Sequence, residues 1–159
     1  MNRADHKRQT LVDVFQRAAG SGRLAAVTVS DVMTPQPISV DPHLSALELV
    51  HIFHEKRFRH LLVTEHDRLV GIISDRDVVR LFGTHDSPEQ DYLAKITAGE
   101  LMSTSLIIAV ATTTLVTAVG LIVDNGISCL PVVKGETAIG ILTATDLYLA
   151  LEQLLVSIR

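Results

Sequence analysis

The sequence predicts an α/β (α+β) fold. It expects two β-α-β-β-α repeats related by a pseudo-twofold axis, with their sheets packed against each other, behind an N-terminal leader helix. Three observations carry that expectation. Residues 71–77, Gly-Ile-Ile-Ser-Asp-Arg-Asp, return 69 positions later at 140–146 as Gly-Ile-Leu-Thr-Ala-Thr-Asp. In both copies an apolar, β-branched run meets a Ser/Thr-x-x-Asp, the pattern of a strand running into the first turn of a capped helix. The two halves also align at that offset without a gap, with Met33 on Met102, Ile38 on Ile107, Val50 on Val119, Leu61 on Leu130 and Val63 on Val132. Half the chain cannot bury enough surface to offset its own ordering entropy, hence the expected packing of one sheet on the other.

The elements follow in order. Over residues 4–19, Leu11, Val14, Phe15 and Ala18 recur at i, i+3, i+4 and i+7, one apolar helical stripe with Gly20 as its C-cap. Gly20-Ser21-Gly22 reads as a flexible joint. Such a leader is marginal alone and is expected to pack on the body or on a second subunit. Each repeat opens with a short turn, at 31–34 and 100–103, and a brief strand, at 38–40 and 107–109. Helices are expected over 45–56, where Ser45 and Glu48 form a capping box, and over 114–125, ended by Asn125-Gly126. Strand pairs follow at 60–64 and 69–74, joined by His66-Asp67, and at 129–133 and 138–143, joined across Lys134-Gly135-Glu136. A helix beginning at Ser/Thr-x-x-Asp closes each repeat. The expected division is a leader at 1–29, repeat one at 30–83, a linker holding Pro88 at 84–97, and repeat two with an extended last helix at 98–159.

Composition narrows the function classes. The chain has 159 residues, 47% hydrophobic and 20% charged, enough apolar material for a core. A net charge of −4 and aromatics at 4%, with no basic block, argue against a nucleic-acid partner. Cys129 is the one cysteine, so no disulfide framework or zinc ribbon is present and a reducing, cytoplasmic setting is expected. The first eight residues lead into no apolar signal-peptide core. Residues 102–123 carry no charge, but three consecutive threonines and the internal repeat divide that stretch into strand, turn and helix, so no membrane span is expected.

The repeated Ser/Thr-x-x-Asp is an ordinary capping box on one reading. On the other it is an anion site, because a helix N-terminus carries unpaired N–H groups and partial positive charge. The arrangement from 30 to 151 resembles a tandem cystathionine-β-synthase (CBS) domain pair, also called a Bateman module. The resemblance rests on Val32-Met33-Thr34, Arg59-His60-Leu61, residues 71–77, Leu130-Pro131-Val132-Val133 and residues 140–146. It implies a regulatory module that binds adenine nucleotides or other adenosyl ligands (AMP, ADP or ATP, with S-adenosylmethionine or NAD as further candidates) and dimerises.

It also implies two clefts, each taking its base-side strand from one repeat and its Ser/Thr-x-x-Asp from the other. One joins Ser103, Ile107, Ile108 and Ile127 with Arg59, Ile72, Ser74, Arg76 and Asp77, and His60, beside Arg59 at the expected phosphate end, reads as a further ligand contact or as a strand-edge histidine. The other joins Thr34, Ile38, Ser39 and Phe58 with Ser128, Ile141, Thr143, Thr145 and Asp146. A carboxylate can accept both ribose hydroxyls, and arginines can grip phosphate oxygens in a fork. The Asp77 cleft carries Arg59 and Arg76 where the Asp146 cleft has Ser128 and Thr145, with no cation of its own, so the second is expected to bind anions less well. Leu62 stands where the family often has proline, which Pro131 keeps.

His51 and His54, at i and i+3, read as a solvated helix face, with no carboxylate or thiol completing a metal set. Cys129 reads as a packed thiol. The apolar helix at 147–156 and its counterpart at 116–123 are greasy on more than one face, which points to a homodimer interface. No nucleophile–base set, Walker loop or metal cage is legible, so the expected function is non-catalytic ligand sensing passed to an unidentified protein partner. A structural dimerisation module without a ligand is the alternative.

Overall fold

In the computed structural model, which describes residues 3–83 and 90–157, the elements run in the expected order. The chain begins with α1 (Arg3–Gly20), a 3-10 turn at Leu24–Ala26, α2 (Val29–Val32) and β1 (Thr34–Pro35). It continues through β2 (Ser39–Val40), α3 (Ala46–Lys56), β3 (His60–Glu65), β4 (Arg68–Ser74) and α4 (Asp75–Gly83). After α5 (Gln90–Leu93) and α6 (Ala98–Leu101) come β5 (Ala109–Val110), α7 (Leu115–Asp124), β6 (Cys129–Lys134), β7 (Thr137–Thr143) and α8 (Ala144–Ser157).

Local chemistry accounts for most boundaries. Ser45 caps α3 in a reciprocal box: Glu48 N–H donates to Ser45 Oγ at 3.3 Å and Ser45 N–H donates to Glu48 Oε2 at 3.0 Å. The expected opening turns are one-turn helices instead. Thr28 caps α2 through Asp31 and Thr97 caps α6 through Glu100, with the backbone N–H of each threonine donating to the carboxylate at 2.8 Å. Gly20 is the last residue inside the leader helix, and the glycine that turns the chain out of it is Gly22. Gly22, at φ 67°, takes the left-handed position, while Arg23 N–H donates to the Ala18 carbonyl and Gly22 N–H to that of Ala19. Those two bonds make a Schellman turn, so the expected flexible joint is a built corner. Gly126, at φ 61°, ends α7 the same way. Of the expected linker, α5 is ordered with Leu93 buried, and Pro88 lies outside the described residues.

The chain forms two compact units, Met1–Gln36 with Ile107–Arg159, and Pro37–Leu106. Each therefore combines the body of one repeat with the lead-in segment of the other. In the first, the sheet order is β1-β7-β6-β5, with β5 parallel to β6 and the other pairs antiparallel. In the second it is β2-β3-β4, with Ser103 bridging to Ile72 on the far side of β4. The registers correspond: Thr34 lies opposite Ile141 in one unit, and Ser103 opposite Ile72 in the other. The backbone bonds that hold the lead-ins correspond too. Val29 N–H donates to the Thr113 carbonyl at 2.8 Å, and Ala98 N–H to that of Leu44 at 2.7 Å.

Each unit has its own core. Leu11 and Phe15 of α1 are buried with Val29, Val32, Leu130, Val132 and Leu142, so the leader is an integral layer of the first unit. Leu49, Leu61, Val63, Ile73, Val78 and Ala98 fill the second.

The lead-ins are locked by one contact type. A Cβ built on Gly71 would lie 2.3 Å from Met102 Sδ and 2.9 Å from Met102 Cβ. On Gly140 it would lie 2.3 Å from Met33 Sδ, with the remaining Met33 atoms no nearer than 3.2 Å. A flexible thioether can swing aside, whereas a Cβ moves only with its backbone. We therefore expect Gly71→Ala to cost about 1–3 kcal/mol, or roughly 3–10 °C in Tm, and Gly140→Ala less. Thermal unfolding of the two variants checks this; equal losses would contradict the Met102 backbone as the cause.

Candidate functional site

The two Ser/Thr-x-x-Asp corners fold alike but are furnished differently. At the first, β4 delivers Ser74 to the start of α4. Ser74 N–H and Oγ both donate to Asp77 Oδ2, at 2.8 and 2.7 Å, and Asp77 N–H returns to Ser74 Oγ at 3.3 Å. This capping box uses one carboxylate oxygen. The other, Oδ1, has a single partner among the described residues, the exposed Arg80 guanidinium at 3.5 Å, and the Asp77 side chain keeps 27% of its surface. Arg76 is exposed beside it. Arg59 lies 3.6 Å from Asp75, with 66% of its side chain exposed, a pairing loose enough to be exchanged. His60 sits opposite Ser74 in the β3–β4 ladder. Ser103 is exposed and bonded through its backbone to Ile72, which is half-buried.

The helix start is less free than a bare N-terminus. Asp75 N–H donates to the Arg59 carbonyl at 3.0 Å, and Asp77 N–H is taken by Ser74. An anion here depends on the arginine side chains more than on the helix end.

At the second corner, Thr143 N–H and Oγ1 hold Asp146 Oδ2 at 2.7 and 2.8 Å, and Asp146 N–H returns at 3.4 Å. Here Oδ1 is also engaged. Thr34 Oγ1 donates to it at 3.2 Å, and Lys7 Nζ of the leader donates both to it and to Thr34 Oγ1. Asp146 is 4% exposed, one of two buried polar or charged residues in the described chain. The expectation that this corner has no cation of its own is therefore corrected. Arg59 and Arg76 have no charged counterparts at Ser128 and Thr145, both exposed, but Lys7 arrives from outside the repeat. No spacing signal could have placed it.

The remaining site residues divide between the units. Ile141 is buried in the first unit, where Ile107 and Ile127 are half-buried and Ile108 is 45% exposed. Ile38, 39% exposed, belongs to the second unit with exposed Ser39 and half-buried Phe58. The departure at Leu62 has a physical consequence. Leu62 N–H donates to the Ile38 carbonyl at 3.2 Å, whereas Pro131 has no N–H to give the equivalent carbonyl of Ile107.

Other candidates resolve simply. Cys129 is buried, and burial pushes its thiol up to about 12, so it is inert. His51 and His54 are exposed on α3. No cluster of three or more potential metal ligands occurs among the described residues, and no helix there is long and apolar enough to cross a membrane.

A family model described as CBS domain matches residues 29–83 and 98–153. Among solved structures, an acetoin utilization protein from Vibrio cholerae superimposes with a TM-score of 0.71 at 23% identity, over 81% of this chain and 93% of that one, a likeness of fold. CBSX2, solved in complex with AMP, gives 0.69 at 30% identity, over 80% and 97%. The CBS domain pair of protein MJ0100, solved with 5′-methylthioadenosine and S-adenosyl-L-methionine, gives 0.67 at 26% identity, over 77% and 94%.

Burial holds the His60 pKa below its ordinary value, with Asp75 opposing and Arg59 adding to the shift. A histidine depressed in the folded state is protonated more readily when unfolded. Stability therefore falls as pH drops through about 6.5, the ordinary histidine value, toward the folded pKa. We expect Tm to fall less between pH 7.5 and 5.5 in His60→Gln than in the wild type. Identical slopes in thermal scans would show that His60 is not the group responsible.

Proposed function

The chain belongs to the CBS domain family, and from that premise we propose that it is a non-catalytic regulatory module whose Asp77 corner binds a phosphorylated adenosine, AMP before ADP or ATP. One observation carries the reading: the capping box holds Asp77 by a single oxygen and leaves Oδ1 available beside exposed arginines. The ribose diol donates to Oδ1. Arg76 and Arg59 take the phosphate, and Ser74 keeps its capping role, so folding and binding do not compete for the same atoms. CBSX2 with AMP, and the MJ0100 pair with two adenosyl molecules, support the class of ligand.

The module signals by shape or by dimer geometry, shifting only as far as the ligand prefers one state over the other. On α7 and α8, Val116, Val123, Tyr148, Leu151, Leu155 and Val156 are each more than half exposed. Apolar surface on that scale supports a homodimer. The cytoplasm is the setting we propose.

Titration calorimetry tests the ligand reading. Asp77→Ala is expected to weaken AMP by about tenfold or more, the loss of hydrogen bonds to a charged acceptor, and Asp146→Ala to spare the tighter event. Arg76→Ala should weaken AMP while leaving adenosine nearly unchanged. If Asp146→Ala alone abolished binding, the assignment would be wrong. If no adenosyl ligand raised the Tm, a structural dimerisation module would be the better account. Sedimentation as a stable monomer would remove the dimer.

A further inference from the structure

We infer that Lys7 is a built-in occupant of the ribose position at the Asp146 corner, and that it sets whether this second site accepts a nucleoside. The inference rests on the reading of these aspartates as ribose acceptors. Asp77 and Asp146 carry the same capping box on Oδ2, so the difference between the corners lies on Oδ1. At Asp77 that oxygen meets only the exposed Arg80 guanidinium among the described residues, at 3.5 Å. At Asp146 it accepts from Lys7 Nζ and Thr34 Oγ1, two donors where a cis-diol would supply two. The lysine also bonds Thr34 at 3.1 Å, which closes a three-membered polar cluster.

Holding the leader from Arg8 onward does not require this contact. Leu11 and Phe15 bury α1 in the core of the first unit, and Arg8 Nε reaches Glu152 on α8 at 3.0 Å. Nor does the corner's fold require it, since the Asp77 corner forms with no such ammonium. The Lys7 side chain is 16% exposed and that of Asp146 is 6% exposed, so the pair is shielded from solvent screening and strong enough to compete with a ligand. A nucleoside entering this corner must lift Lys7 from Asp146. In return it frees the first turns of α1, and the second site is thereby coupled to the leader helix.

Calorimetry with AMP on the wild type, Asp77→Ala, Lys7→Met and the double variant tests this. Methionine keeps the unbranched apolar stem of the side chain and removes the ammonium. We expect one tight event and one at least about tenfold weaker in the wild type, reflecting the charged hydrogen bonds to be displaced. Only the weak event should remain in Asp77→Ala, with a gain of about tenfold in Asp77→Ala/Lys7→Met. If the double variant binds no tighter than Asp77→Ala while the wild type binds through Asp77, Lys7 is not the barrier and the nucleotide reading stands. If Asp77→Ala leaves the wild-type isotherm unchanged, the nucleotide reading itself fails. Hydrogen exchange on the unaltered chain supplies a second readout. Amides in the first turns of α1 should exchange faster at AMP concentrations that fill the weak site, but not at those filling the tight one alone. Unchanged exchange throughout would overturn the displacement.

Discussion

The structure depends on two sulfur atoms lying where two side chains cannot be. Met33 rests on Gly140 and Met102 on Gly71, each so closely that a Cβ would overlap the thioether. These contacts seat each lead-in segment against the last strand of the other repeat's body, and the backbone bonds around Thr28 and Thr97 continue the exchange. Neither compact unit is a repeat by itself. Each exists because a segment from the other end of the alignment completes its sheet and core.

The same exchange creates the chemistry. It carries Thr34 onto Asp146 and sets Ser103 against Ile72, so each last strand is flanked by a hydroxyl residue that the sequence places far away. Once the corners are built, small differences decide their roles. On the proposed reading Arg59 and Arg76 serve an anion beside Asp77, whose Oδ1 meets only the exposed Arg80 guanidinium among the described residues. At Asp146 the same oxygen is engaged by Lys7 and Thr34. The repeat supplies two like frames, and Lys7 makes them unequal.

Much of this was legible in the residues. Apolar, β-branched runs and capping boxes placed the strands and long helices to within a residue or two, because burial and capping are local in cause. The internal repeat showed which residues are equivalent, but equivalence does not say which ones touch. The crossing of the lead-ins followed only from the family resemblance. The Schellman turn at Gly22 was missed because Gly20 offered an equally good stop, and the decision lies in φ rather than in composition. Lys7 could not be found at all. It lies on a helix with no counterpart in either repeat, beside Arg8, and only packing reveals which of the two cations reaches Asp146 and which Glu152.

The inequality of the two corners is tested most directly by a crystal structure grown with AMP in excess over the protein. The account predicts full nucleotide density at the first corner, the ribose diol on Asp77 and the phosphate between Arg76 and Arg59, with the Asp146 corner still holding Lys7 or only partly filled. Full density at Asp146, with Lys7 undisturbed and the Asp77 corner bare, would contradict it.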